Sequence, residues 1–181
     1  MGTPRSARPA HEAHGSYREV AAVRLFFFAD AFADMQVLPN FHGKELVPPS
    51  IWRLYEQGTL DPRWYLQPRA LELLSSLREE FGPLRVNDWS EGGDRKMCGY
   101  RPPRTGVGAE YSQHKLGAAW DIVAWDGSPT PGEIREAIME DEQWWYDRGL
   151  RAIEDGEIAD TWVHVDVRPT QLDGEIKVVR P

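Results

Sequence analysis

The 181-residue chain is 41% hydrophobic and 28% charged, an ordinary globular composition, and long enough to bury the core of one domain. A net charge of −8 and a pI near 5.1 argue against a nucleic-acid binder, and no run approaches the roughly 18 apolar residues of a membrane helix. Cys98 is the one cysteine, so an intramolecular disulfide is excluded and the redox compartment stays open; no local motif marks it as a nucleophile.

Residues 1–16 are rich in Pro, Ala, Arg, Gly and His without periodicity and are expected to form a disordered tail ahead of a single domain over 17–181. His11-Glu12-Ala13-His14 is one residue short of the helical HExxH spacing and belongs to that tail. From Tyr17 to Met35, Val20, Val23, Phe27 and Ala31 recur at helical intervals, although Phe26-Phe27-Phe28 leaves a strand open. The apolar stretch from Val20 to Ala33 is broken by Arg24 and Asp30 and lacks a cleavage site. No signal peptide is therefore expected, and the protein would stay in the cytoplasm until something releases it.

Pro39 to Pro49 reads as a loop carrying Phe41 and a structural His42. Ser50 is placed to cap a short helix, Ile51 to Gln57, and Asp61-Pro62 marks a turn or helix start. Gln67-Pro68 opens a packing helix with Leu71, Leu74, Leu77 and Phe81 on one face, ended by Gly82-Pro83. Leu84 to Trp89 reads as a strand, followed by a long Gly-, Pro- and Arg-rich loop from Ser90 to Tyr111. A loop of that length in a compact domain is usually functional or disordered. Trp120 to Trp125 reads as a buried strand. Thr130-Pro131-Gly132-Glu133 is a capping box that starts a helix to about Tyr146, with Ile134, Ile138 and Trp145 inward. Strands are expected over Gly149–Glu154, Thr161–Arg168 and Glu175–Val179, so the second half is antiparallel strands plus helices.

Two stretches carry chemistry. Side chains alternate across a strand, so Thr161, Val163, Val165 and Val167 share a packing face while Trp162, His164 and Asp166 point the other way. An aromatic, an imidazole and a carboxylate on one face suit a cleft. Earlier, Gly117, Ala118 and Ala119 allow a tight turn between His114 and Asp121, so both can meet a third ligand from a distant strand. Two imidazoles and one carboxylate are the minimum protein set for a catalytic zinc that keeps an open position.

Ser112-Gln113-His114, followed by Gly117, Ala119 and Asp121, resembles the S-x-H-x-x-G-x-A-x-D motif of M15-type zinc peptidases. These are D-alanyl-D-alanine carboxypeptidases and dipeptidases and phage or bacterial L,D-endopeptidases. Trp162-Val163-His164-Val165-Asp166 is similar to the W-x-H-x-D closing motif of the peptidoglycan endopeptidase branch. Gly99-Tyr100-Arg101 is similar to its GYR element. The resemblance spans about residues 84 to 168. It implies an α+β fold with a small antiparallel sheet, helices packed on one side and zinc on the open face. It also implies His114, Asp121 and His164 as ligands, Arg101 as anchor of a substrate carboxylate, and Ser112 as a hydrogen-bond partner of the bound peptide.

The chain departs from the family at one place. Many members carry the general base three residues before the last histidine, where this chain has Thr161. Glu154 is the favoured replacement, facing the metal if it pairs opposite Trp162 and turned away by a one-residue slip. Asp166 lies two residues, about 6–7 Å, from His164 and would support the site, orienting a ligand or an arginine. Asp160 and Glu157 are poorer choices. The expected function is a zinc peptidase acting on peptidoglycan stem peptides, with a phage lysin as one form. The alternative is a non-catalytic, zinc-stabilised wall-peptide binder or phage structural protein of the same fold. Neither the bond cut nor the oligomeric state is legible.

Overall fold

The site is carried by a five-stranded sheet in the order β3-β4-β6-β5-β7, built from β3 (Leu84–Arg85), β4 (Ala119–Ala124), β5 (Ala152–Glu154), β6 (Val163–Asp166) and β7 (Lys177–Val179). A two-stranded hairpin, β1 (Gln36–Leu38) with β2 (Phe41–His42), precedes it. This computed structural model describes residues 35–180, which fall within one unit of the chain, 32–181. The tail expected over 1–16 and the helix expected from Tyr17 lie outside the described residues, apart from the buried Met35. Among the described residues no helix is long and apolar enough to cross a membrane.

The fold is α+β. Sheet pairing is antiparallel throughout except at β7, which runs parallel to β5, so the sheet is mixed rather than purely antiparallel. Parallel pairing needs a crossover, and the Val167–Ile176 segment after β6 supplies it. α3 (Pro68–Phe81) buries Ala70, Leu73, Leu74 and Leu77, with the expected Leu71 and Phe81 only half-buried. It packs on the face carrying Trp120, whose indole N–H donates to the Ala70 carbonyl at 2.6 Å. Val165 and Ile153 continue that apolar row across β6 and β5.

Several local expectations change, among them the strand over Leu84 to Trp89, which is only Leu84–Arg85, with Trp89 in a 3-10 turn. The Pro39–Pro49 stretch contains β2 and a one-turn helix, α1 (Gly43–Leu46), because Glu45 reaches back to accept from the His42 backbone N–H at 2.8 Å. A four-residue helix is too short to leave a periodic trace. α2 (Pro49–Glu56) starts one residue before Ser50, with Pro49 in the first turn, where a missing N–H costs nothing. The capping box at Thr130 forms, with Glu133 N–H donating to the Thr130 hydroxyl and Glu133 accepting from the Thr130 N–H. The helix it starts, however, breaks at Asp141 into α4 (Pro131–Glu140) and α5 (Glu142–Asp147). The break turns Trp145 inward, where it stacks on Phe81 with ring centroids 5.4 Å apart.

Candidate metal centre

His114 comes from a short 3-10 turn, Gln113–Leu116, that ends at Gly117. Gly117 has φ +65°, and a Cβ there would lie 1.7 Å from the Tyr65 carbonyl oxygen, so only glycine closes this turn against its neighbour. The chain then enters β4, where the Asp121 Cα pairs directly with that of His164 on β6. Directly opposed residues share a face, so the expected meeting of Asp121 with His164 is a consequence of strand register.

The three side chains converge. His114 Nε2 lies 3.1 Å from Asp121 Oδ1 and 3.1 Å from His164 Nδ1, and His164 Nδ1 lies 2.8 Å from the same Asp121 oxygen. All three residues are buried. Their other atoms settle what they offer. His114 Nδ1 donates to the Gly99 carbonyl at 2.8 Å, which leaves Nε2 with a lone pair. His164 Nε2 donates to Asp166 Oδ2 at 3.1 Å, which leaves Nδ1 with a lone pair whenever the ring is neutral. Three acceptors therefore face one point, an arrangement that calls for a cation. His114, Asp121 and His164 could hold a metal ion.

The electrostatics agree. Burial holds the His114 imidazole below its usual range. Burial would raise the Asp121 carboxyl, but the two histidines outweigh it and hold it well below the carboxylate range. Burial would likewise lower His164, yet its hydrogen bonds to Asp121 and Asp166 lift it to about 9. Without a metal, a proton on His164 Nδ1 joins the Arg101 and Arg168 guanidiniums in balancing the two carboxylates. A metal ion would supply that charge instead and release the proton.

The remaining predicted residues take different places. The register Ala152↔Asp166 and Ile153↔Val165 continues to place Glu154 opposite His164, not Trp162. The shift from expectation is two residues, so the face is unchanged, and Glu154 Oε1 stands 4.0 Å from His164 Nδ1. Glu154, Ser112, Arg101 and Trp162 line a cleft of about 430 Å³ together with the three candidate ligands. Ser112 precedes the 3-10 turn as its cap residue, but its hydroxyl makes no cap hydrogen bond.

Asp166 does share the His164 side of its strand, but it is fully buried. Its oxygens accept from His164 Nε2 and from the backbone and guanidinium of Arg168. It stands behind His164, on the side away from Asp121, where it fixes the ring and its tautomer. Asp166→Asn is expected to weaken metal binding by roughly 10–100-fold. Competition with a chromophoric chelator measures this, and wild-type affinity would remove Asp166 from the support of the site.

Two contributors escaped the sequence reading. The Ser90–Tyr111 stretch is a tethered brace, joined by Tyr100 N–H to the Leu46 carbonyl at 2.8 Å and by Cys98 N–H to Asn87 Oδ1 at 2.9 Å. β7 and the residue that follows it contribute a wall of the cleft, including Lys177 and Arg180. No local pattern pairs β7 with β5.

The fold and centre together define an α+β domain with a buried two-histidine, one-aspartate group able to bind a metal ion. No known protein family, characterised protein or solved structure matches the chain.

Proposed function

We propose that the protein is a zinc-dependent peptidase that hydrolyses peptide bonds in peptidoglycan stem peptides, as a cell-wall carboxypeptidase or endopeptidase. The observation that carries this reading is a carboxylate that makes no side-chain hydrogen bond among the described residues and stands beside a converging donor set: Glu154 Oε1 lies 4.0 Å from His164 Nδ1 in the cleft. The likeness of Ser112–Asp121 and Trp162–Asp166 to the M15-type motifs points the same way.

The donor set suits zinc. Two imidazoles and one carboxylate leave a position open, and ligands about 2.0–2.1 Å from zinc in a tetrahedral array stand ~3.3 Å apart. The three atoms here are 2.8–3.1 Å apart, so a small outward adjustment admits the ion. Zinc, when bound, would lower the pKa of a water and polarise a carbonyl.

The other steps belong to this chain's residues. Glu154 takes the proton of the attacking water and passes it to the leaving amine, as a general base and then acid. The Ser112 hydroxyl, not spent on its own helix turn, hydrogen-bonds the peptide backbone. Of the four cations lining the cleft, Arg101, Arg168 and Arg180 each grip a carboxylate of the protein. Lys177 has no such partner among the described residues and is placed to meet a carboxylate of the substrate.

Full-length protein loaded with zinc is expected to release peptides from isolated sacculi, detected by mass spectrometry. Chelation should stop the release and added zinc restore it. A protein that binds zinc and wall peptide without cleaving either sacculi or isolated stem peptides would be a binding module, and the enzyme reading would be wrong.

A further inference from the structure

The resemblance of Gly99-Tyr100-Arg101 to a substrate-anchoring element requires a guanidinium available to the substrate. In the structure that guanidinium is committed. Arg101 Nη2 donates to Asp121 Oδ2 at 2.6 Å and Nε donates to the Met97 carbonyl at 2.5 Å; the side chain is 13% exposed. We infer that Arg101 is a positioning residue of the metal centre, which reserves Asp121 Oδ2 for itself and so presents the metal with one carboxylate oxygen rather than two. The inference rests on His114, Asp121 and His164 being ligands, but not on the protein being a peptidase.

The two oxygens of Asp121 have separate duties. Oδ1 faces both histidines, at 3.1 and 2.8 Å, whereas Oδ2 faces Arg101. Turning the carboxylate to offer both oxygens to a metal would break an ion pair whose side chains are 13% and 8% exposed. At that burial a lost charge-assisted hydrogen bond is not recovered from water. The backbone that carries the carboxylate is fixed as well. The Asp121 N–H donates to the Cys98 carbonyl at 2.8 Å, and its carbonyl accepts from Arg95 Nη2 at 2.7 Å.

Arg101 is itself held in place. Its backbone N–H donates to the His114 carbonyl at 3.0 Å, while the Gly99 carbonyl accepts from His114 Nδ1. Residues 97–101 thus touch two of the three ligands at four points. The segment also has no slack, because a Cβ on Gly99 would fall 2.2 Å from the Leu46 carbonyl oxygen. A catalytic centre with three protein ligands works by keeping a coordination position open, and a second Asp121 oxygen would consume it. A bidentate guanidinium suits this duty, since its planar fork can hold a carboxylate oxygen and a carbonyl at once.

Cobalt(II) titration of the metal-free full chain tests the inference, with the visible spectrum as a readout of coordination number. Wild type should give the strong visible bands of a four- or five-coordinate ion. Arg101→Ala should bind cobalt roughly 10–100-fold more weakly, with bands reduced in intensity as the freed carboxylate chelates. Arg101→Lys should fall between the two, since an ammonium can hold Oδ2 but not the Met97 carbonyl as well. Should the alanine variant fail to fold by circular dichroism, the lysine variant decides alone. Wild-type affinity and spectrum in the folded variants would overturn the inference and return Arg101 to the role of substrate anchor. Failure of the wild-type chain to bind cobalt would instead remove the metal centre itself, and the inference with it.

Discussion

Glu154→Gln is expected to lower kcat for stem-peptide hydrolysis by ~10²–10⁴-fold while leaving metal affinity within error of wild type. Glutamine keeps the length and shape of the side chain but cannot take a proton from water. Glu154 stands 4.0 Å from His164 Nδ1, an ion-pair contact beyond hydrogen-bond distance, and is not one of the three converging donors, so its amide need not displace them. The loss should therefore fall on kcat, with KM little changed, because proton transfer is a transition-state interaction. Kinetics on a synthetic stem peptide, with metal content measured on the same sample, checks both halves. A glutamine variant with wild-type kcat would move the base away from Glu154. Asp166→Asn is the informative contrast: it acts from behind His164, so it should lower metal affinity first.

His164→Ala should abolish both metal binding and peptide release. It removes one donor and leaves a space where the imidazole closed the triangle with His114 and Asp121. It also strips a partner from two carboxylates at once, Asp121 and the fully buried Asp166. Leaving a buried charge short of its partner costs about 3–5 kcal/mol in the unrelieved case. Arg101 and Arg168 remain on those carboxylates, so the cost here should fall at or below the lower end. Metal analysis and a thermal melt separate the effects: the variant should fold, melt earlier than wild type, and hold no stoichiometric metal. Zinc retained at one per chain would exclude His164 as a ligand.

The group that could hold a metal was legible before any fold was known. His114 and Asp121 are joined by small residues that permit one kind of turn, and Gly117 is where both the positive φ and the approach of the Tyr65 carbonyl demand glycine. The helices most readable in advance were those with punctuation: proline at the start of α3, and the threonine–glutamate box of α4. Those signals act within a turn or two, and a chain carries them wherever it goes. The break at Asp141 was not readable, because it serves the stacking of Trp145 on Phe81, a contact across 64 positions of sequence.

Residue types and spacings by themselves determined which atoms are able to bind a metal and on which side of β6 His164 must lie. Tertiary structure alone decided what surrounds those atoms. The pairing of β5 with β6 brought Glu154 opposite His164, the closure of residues 97–101 turned Arg101 onto Asp121, and Arg168 drew Asp166 out of the cleft. The physical reason is one of range. Alternation and capping depend on neighbours in sequence, whereas register, ion-pair choice and burial are settled by which distant segments exclude water together.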